Sequence, residues 1–146
     1  MNPMPLSVQG DSPMLFDHIG LVVPDLASGE RYCRDVLGLT RFSAAVLDPL
    51  QNVWVQFGYD EAGICYELVA PAGENSPVTQ VLKTRRNVLN HLAYRVVSLV
   101  TSAERLRTQR HLPLGPSQPA VAFGGAHVQF FLSPLGHIVE LIEEVA

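Results

Sequence analysis

Apolar and polar positions alternate with a period of two through the first ordered run of this chain, placing Phe16, His18, Gly20 and Val22 on one face of a predicted strand. Pro24-Asp25 closes that strand and the period lengthens. Asp25 is read as the N-cap of a helix running to about Leu37, with Leu26, Cys33, Val36 and Leu37 on its apolar stripe and Gly38 as C-cap. Short β-branched and aromatic runs divided by turn residues then predict strands over residues 41–47, 53–58 and 64–69. The same succession returns later. Leu89, His91, Ala93 and Arg95 share one face of a strand, Ser98 caps a helix with Leu99, Ala103 and Leu106 as its stripe, and that helix stops before Pro113. Strands follow over residues 121–123, 128–132 and 138–142, with Gly124-Gly125 as a tight turn. Between the halves, Ser76 as a cap, Pro77 at N1 and an apolar stripe to Leu82 predict a linker helix over about residues 76–86 that covers one end of the sheet.

The two halves are copies at a fixed interval. FDHIGLVV (Phe16 to Val23) matches LNHLAYRV (Leu89 to Val96), Val55-Gln56-Phe57 matches Val128-Gln129-Phe130, and ICYELV (Ile64 to Val69) matches HIVELI (His137 to Ile142). All three matches hold without a gap, so one supersecondary unit is used twice. The expected fold class is α+β, with two tandem βαβββ modules on one shared core. Module one spans about residues 14–70 and module two about 88–144, together a single domain over 14–146, after a flexible N-terminal extension over 1–13.

Composition narrows the setting. A chain of 146 residues, 47% hydrophobic and 16% charged, has the size and balance of one globular domain. No apolar run approaches the roughly 18 residues that span a bilayer, so no membrane partner is expected. The start, MNPMPLSVQGDSP, lacks the basic and apolar segments of a signal peptide, which leads to the expectation of a cytoplasmic protein. Cys33 and Cys65 have no metal-type spacing and are read as buried reduced thiols. A net charge of −4 and a pI near 5.6 disfavour nucleic acid. Seven of the ten basic residues fall between positions 83 and 110: Lys83, Arg85, Arg86, Arg95, Arg105, Arg107 and Arg110. They read mainly as a solvated face, part of which a phosphate-bearing substrate such as a coenzyme A thioester could use.

The chemistry concentrates on His18, Glu67, His91 and Glu140. In each half the glutamate follows its histidine by 49 residues. A carboxylate in mid-strand costs free energy unless something pairs with it, and Glu67 shares a face with Cys65 and Val69, as Glu140 does with Ile138 and Ile142. A lone strand histidine is more often a core or surface group than a ligand, and Glu140 beside Glu143 and Glu144 could be solvated. Jointly, the four supply a ligand set suited to one divalent ion such as Zn, Co, Mn, Ni or Fe. Gln56 and Gln129 are read first as polar strand positions and second as hydrogen-bonding partners of substrate or ligands. His111 ends a helix, His127 matches Trp54 and serves packing or substrate stacking, and His137 lies in a turn near the mouth of the site.

At these residues the chain resembles the vicinal oxygen chelate superfamily over about Phe16 to Glu143. The resemblance implies paired βαβββ modules forming a half-open, cup-shaped mixed sheet around one metal ion, with helices on the outer face. ELVAPAGENSPVTQVL (Glu67 to Leu82) followed by NHLAYRV (Asn90 to Val96) is most similar to the methylmalonyl-CoA epimerase family, while SPLGHIVELIE (Ser133 to Glu143) resembles the ending of glyoxalase I and many relatives. By position, the implied metal ligands are His18, Glu67, His91 and Glu140. Asn90-His91 stands where the epimerases usually have two adjacent histidines, and Ser133-Pro134-Leu135 where they have a lysine after the final turn. A fourth protein ligand at Glu67 disfavours the extradiol dioxygenases, which resemble a two-histidine, one-carboxylate set.

The resemblance implies an isomerase or epimerase that transfers a proton alpha to a carbonyl, on an acyl thioester such as methylmalonyl-CoA or a carrier-bound equivalent, through a metal-stabilised enolate. Glu140 and Glu67 are the candidate bases, either one loosening from the metal as substrate arrives. Two alternatives stay open: a glyoxalase-like lyase or isomerase acting on a thiol adduct, and a non-catalytic small-molecule binding protein of the resistance type. Relatives are usually dimers, so a homodimer is expected.

Overall fold

The two histidine-bearing runs fold as neighbouring strands at the centre of one ten-stranded mixed sheet. A computed structural model describes residues 13–145, so the extension expected over 1–13 lies, apart from Pro13, outside the described residues. Module one consists of β1 (Leu15–Val22), α1 (Leu26–Asp35), β2 (Arg41–Phe42), β3 (Val46–Asp48), β4 (Val53–Tyr59) and β5 (Cys65–Pro71). After the linker helix α2 (Thr79–Thr84) come β6 (Leu89–Val96), α3 (Leu99–Thr108), β7 (Leu112–Pro113), β8 (Gln118–Pro119), a single 3-10 turn (Val121–Phe123), β9 (His127–Leu132) and β10 (Ile138–Glu143). The strand order is β2-β4-β5-β1-β6-β10-β9-β7, with β3 paired to β4 and β8 to β9. The fold is thus the α+β, twin-module mixed sheet that the repeat implies.

An antiparallel seam between β1 and β6 joins two equivalent halves. Across it His18 faces Ala93 and Gly20 faces His91. On its far side each central strand runs parallel to a glutamate strand, so Gly20 pairs with Glu67 and Ala93 with Glu140. The next strands repeat the relation, Phe57 opposite Glu67 and Phe130 opposite Glu140. The sequence interval therefore becomes a pseudo-two-fold axis through the seam.

Both faces of the sheet are covered, which is why the glutamate strands read as nearly continuous apolar runs. On the outer face Cys33 and Leu39 cluster with Leu68. Leu99, Ala103 and Leu106 of α3 pack on Phe131, Val139 and Leu141. Leu68 and Leu141 adjoin Glu67 and Glu140 in sequence, so strand alternation turns each carboxylate to the inner face. That face carries Val22, Val53, Val55 and Val69 in one half, and Ala93, Val128 and Ile142 in the other. Burying each such aliphatic side chain contributes about 1.5–3 kcal/mol. Both caps form: the Asp25 carboxylate accepts from the Ser28 N–H at 2.8 Å and the Ser98 hydroxyl from the Thr101 N–H at 3.2 Å.

Several expected elements differ. The run 121–123 is a 3-10 turn, because Gly124 and Gly125 at φ +65° and +88° fold the chain back so that the Gly125 N–H reaches the Ala120 carbonyl. The short β7 and β8 take the places beside β9 instead. The expected strand over 41–47 breaks between Phe42 and Val46, and α1 ends at Asp35, leaving Val36 and Leu37 exposed while Leu39 enters the core. The linker helix begins only at Thr79, where Ser76 offers a backbone carbonyl and not its hydroxyl. Val78 at its N-cap, with Val81 and Leu82, packs against Val22, Val53, Val55 and Val69 on the inner face, at the end of the module-one strands where β1 finishes and β4 begins. Among the described residues no helix is long and apolar enough to cross a membrane.

Candidate metal centre

Each of the four central strands delivers one polar side chain to the inner face: β1 His18, β5 Glu67, β6 His91 and β10 Glu140. One nitrogen or carboxylate oxygen from each lies within 4.8 Å of the other three. His18 Nε2 stands 3.1 Å from His91 Nε2, 3.6 Å from Glu67 Oε1 and 3.3 Å from Glu140 Oε1. His91 Nε2 is 3.3 Å from Glu67 Oε1 and 3.2 Å from Glu140 Oε1. All four residues are buried, at 0%, 6%, 5% and 2% exposure in chain order. Glu140 is therefore not a solvated neighbour of Glu143 and Glu144.

The hydrogen bonds on the far side of each ring define what faces inward. His18 Nδ1 meets Asp17 Oδ2 at 2.7 Å and His91 Nδ1 meets Asn90 Oδ1 at 2.8 Å. Both acceptors call for an Nδ1–H, so two Nε2 atoms and two carboxylates converge on one buried point. Without a cation, protons must fill it. Burial opposes a charge on His18 most strongly, yet the hydrogen bond to Asp17 and the nearby carboxylates of Glu140 and Glu67 outweigh it and push the imidazole up to about 12. Burial likewise opposes protonation of His91, but Glu140 and Glu67 push it up to about 9. Glu67, although burial alone would raise it, is lowered to about 2 by the two histidines. Glu140 Oε1 is buried and has no hydrogen-bond partner. Two nitrogens and two carboxylates, one with an orphaned oxygen, at such spacings fit a divalent ion of the zinc to iron class.

The surroundings are aromatic and apolar. The Phe123 ring stacks on His18 with centroids 5.7 Å apart and planes 14° from parallel, while Phe57 meets His18, and Phe130 meets His91, edge to face. The centre opens into a cavity of about 590 Å³ walled by Val53, Val55, Val69, Val78 and Phe130. Its acidic side chains are Asp48, Glu67 and Glu140, and among the described residues no lysine or arginine lines it. Asp48 is committed to a turn, accepting from Leu50 N–H, Gln51 N–H and Gln51 Nε2.

A family model for the glyoxalase/bleomycin resistance protein/dioxygenase superfamily matches residues 17–132. The chain belongs to that superfamily. An ethylmalonyl-CoA/methylmalonyl-CoA epimerase of Cereibacter sphaeroides is 30% identical over 129 residues, covering 86% of this chain and 94% of that protein. Among solved structures, a hypothetical protein of Bacillus halodurans C-125 superposes with a TM-score of 0.79 at 22% identity, over 92% of this chain and 97% of the other. Methylmalonyl-CoA epimerase from Mycobacterium tuberculosis superposes with a TM-score of 0.75 at 23% identity, over 99% of this chain and 94% of the other. These likenesses confirm the superfamily's fold here.

Within this superfamily member, other residues singled out from the sequence stand apart from the centre. Gln56 Nε2 and Gln129 Nε2 donate to the backbone carbonyls of Ser43 and Gly115, which favours the plainer reading of both. His127 is exposed beside Pro119, and neither it nor Trp54 lines the cavity. His137 is held in its turn by Ser133 Oγ at 2.9 Å, and His111 Nδ1 by the Gln109 carbonyl. Cys33 and Cys65 are buried free thiols. Sequence reasoning passed over Asp17 and Asn90, which are spaced by the repeat interval, Gly20, which faces His91, and Phe123, whose equivalent in module one is the exposed Leu50.

Proposed function

We propose that this protein is a divalent-metal-dependent isomerase or epimerase that moves a proton at the carbon alpha to a carbonyl, on an acyl thioester such as methylmalonyl-CoA. The observation that carries the reading is the buried quartet with its unpaired Glu140 Oε1 at the floor of an apolar cavity. His18, Glu67, His91 and Glu140 would hold the ion, which when bound supplies Lewis-acid stabilisation to a carbonyl oxygen as it gains charge. The chain's own residues do the rest. Glu140 and Glu67 approach from opposite modules, so one carboxylate takes the alpha proton and the other returns a proton from the opposite face. Valine and phenylalanine side chains beside the quartet lower the local dielectric and strengthen charge interactions there. The epimerase relatives support an acyl thioester. The reading includes a cytoplasmic homodimer, its association offered by the sheet edges β2/β3 and β7/β8.

One observation favours a second reading. Two glutamates fully balance a divalent ion, and among the described residues no lysine or arginine lines the cavity to meet a substrate carboxylate. A glyoxalase-like reaction on the uncharged hydroxy-carbonyl end of a thiol adduct suits that balance. Elemental analysis of the purified protein, with hydrogen-to-deuterium exchange on methylmalonyl-CoA in heavy water, tests the proposal. Bound metal with exchange is the expected result. Metal without exchange, but with turnover of a glutathione hemithioacetal, selects the second reading. No metal, and ligand binding unaffected by His18→Ala, would instead mark a binding protein.

A further inference from the structure

The two imidazoles at the centre are held from behind by different chemistry. The register is symmetric, yet the residue before His18 is a carboxylate and the residue before His91 is a neutral amide. Asp17 divides its oxygens between two tasks: Oδ2 lies 2.7 Å from His18 Nδ1 and Oδ1 lies 3.2 Å from Arg95 Nε. Arg95 is itself 3.6 Å from Glu144 Oε1, so the carboxylate is tethered between β1, β6 and the segment after β10. In module two, Asn90 Nδ2 donates to the Asn87 carbonyl, which leaves Oδ1 as the acceptor for His91 Nδ1 at 2.8 Å. Both rings are thereby held with Nε2 toward the quartet. The hydrogen bond from His18 ends on a carboxylate and that from His91 on a neutral amide.

We propose that Asp17, tethered by Arg95, is a positioning residue that makes His18 the stronger donor of the two histidines and the dominant determinant of ion affinity. This rests on the reading that a divalent ion occupies the quartet. A carboxylate accepting from the far nitrogen of a ligating imidazole locks its tautomer and orientation and raises its basicity toward the metal. A neutral amide locks orientation without the same polarisation. The pseudosymmetric centre is thus electronically lopsided, with the stronger side in module one. Asp17 touches neither ion nor substrate and acts only through His18.

Asp17→Asn is the decisive variant, because it gives module one the chemistry of module two with almost no change of shape. Zinc and cobalt affinities measured by chelator competition should fall about 10- to 100-fold. Asn90→Asp placed in the same chain, which moves the carboxylate behind His91, should recover most of that loss. A residue needed only for its Arg95 ion pair would show no such rescue, since Asn90 has no arginine partner. A change below about threefold in Asp17→Asn, or a loss that Asn90→Asp leaves untouched, overturns the proposal. Nitrogen-resolved NMR of the wild-type rings gives a readout independent of metal. The His18 Nδ1–H proton should resonate downfield of the His91 one and move to the His91 position in Asp17→Asn; coincident signals in the wild type overturn the inference. If the wild type binds neither ion, the proposed function fails together with the affinity claim. The NMR comparison still decides whether Asp17 polarises His18.

Discussion

Gly20 lies directly opposite His91 in the β1–β6 seam, and the His91 imidazole fills the space that a β-carbon at position 20 would need. The mirrored position opposite His18 is Ala93, whose methyl group is accommodated at full burial. Gly20→Ala should therefore displace the His91 ring. Overpacking of this kind costs about 1–3 kcal/mol of stability. Urea unfolding should show that loss, and elemental analysis should show metal content well below wild type, whereas Ala93→Gly should leave metal content unchanged.

Protons and an ion compete for the same four atoms. With His91 raised to about 9 and His18 to about 12, the metal-free centre should hold protons at neutral pH. Metal binding at pH 7 should then release on the order of one to two protons, and affinity should rise with pH. Titration calorimetry in buffers of differing ionisation enthalpy measures the release directly. Affinity independent of pH between 6 and 9 would contradict it.

The same shifts set the pH profile of the metal-free fold. His91 is raised above its ordinary 6.5, so its stabilising contribution is complete below 6.5 and is lost as pH climbs through about 9. Glu67 is lowered, so its contribution is present above 4.5 and is lost as pH falls through about 2. The melting temperature of metal-free protein should fall between pH 6.5 and 9. Metal-loaded protein should not follow that decline, because the ion replaces the protons.

Glu140→Gln removes a carboxylate from the proposed proton relay with little change of shape. Deuterium exchange on the substrate should drop by about 10²- to 10⁴-fold, the range typical of a general acid or base. Measured at saturating metal, Glu67→Gln should also lose exchange. Retained exchange in both variants would move the proton chemistry to other groups.

Phe131 is completely buried under α3 on the sheet's outer face, away from the quartet. Phe131→Ala should cost about 3–5 kcal/mol of folding stability. The protein that remains folded should keep its metal stoichiometry. Chemical denaturation and elemental analysis separate the two effects.

Much of this was legible along the chain because two periodicities carry it. Alternation about His18 and His91 marks strands, the Asp25 and Ser98 caps mark helix starts, and the repeat interval pairs each with its counterpart. Where the two modules depart from one another, local signals mislead. Val121-Ala122-Phe123 has strand composition, yet the left-handed conformations of Gly124 and Gly125 fold it into a turn that stacks Phe123 on His18. Val36 and Leu37 continue a helical stripe that the backbone abandons at Asp35.

By itself, the sequence determined that a βαβββ unit occurs twice and that its unusual polar positions, His18, Glu67, His91 and Glu140, occupy equivalent places in the two copies. Equivalent places are not adjacent ones. Only the antiparallel β1–β6 seam, flanked by parallel β5 and β10, turns that equivalence into contact, bringing two Nε2 atoms to 3.1 Å. Tertiary structure also decided that Asp17 and Asn90 hold the rings from behind, that Gly20 makes room for His91, and that Phe123 closes over His18. Side-chain periodicity is a local consequence of backbone geometry and is written in the order of residues. Which strand lies beside which, and in what register, is decided by packing both faces of the sheet at once, a property of the whole chain.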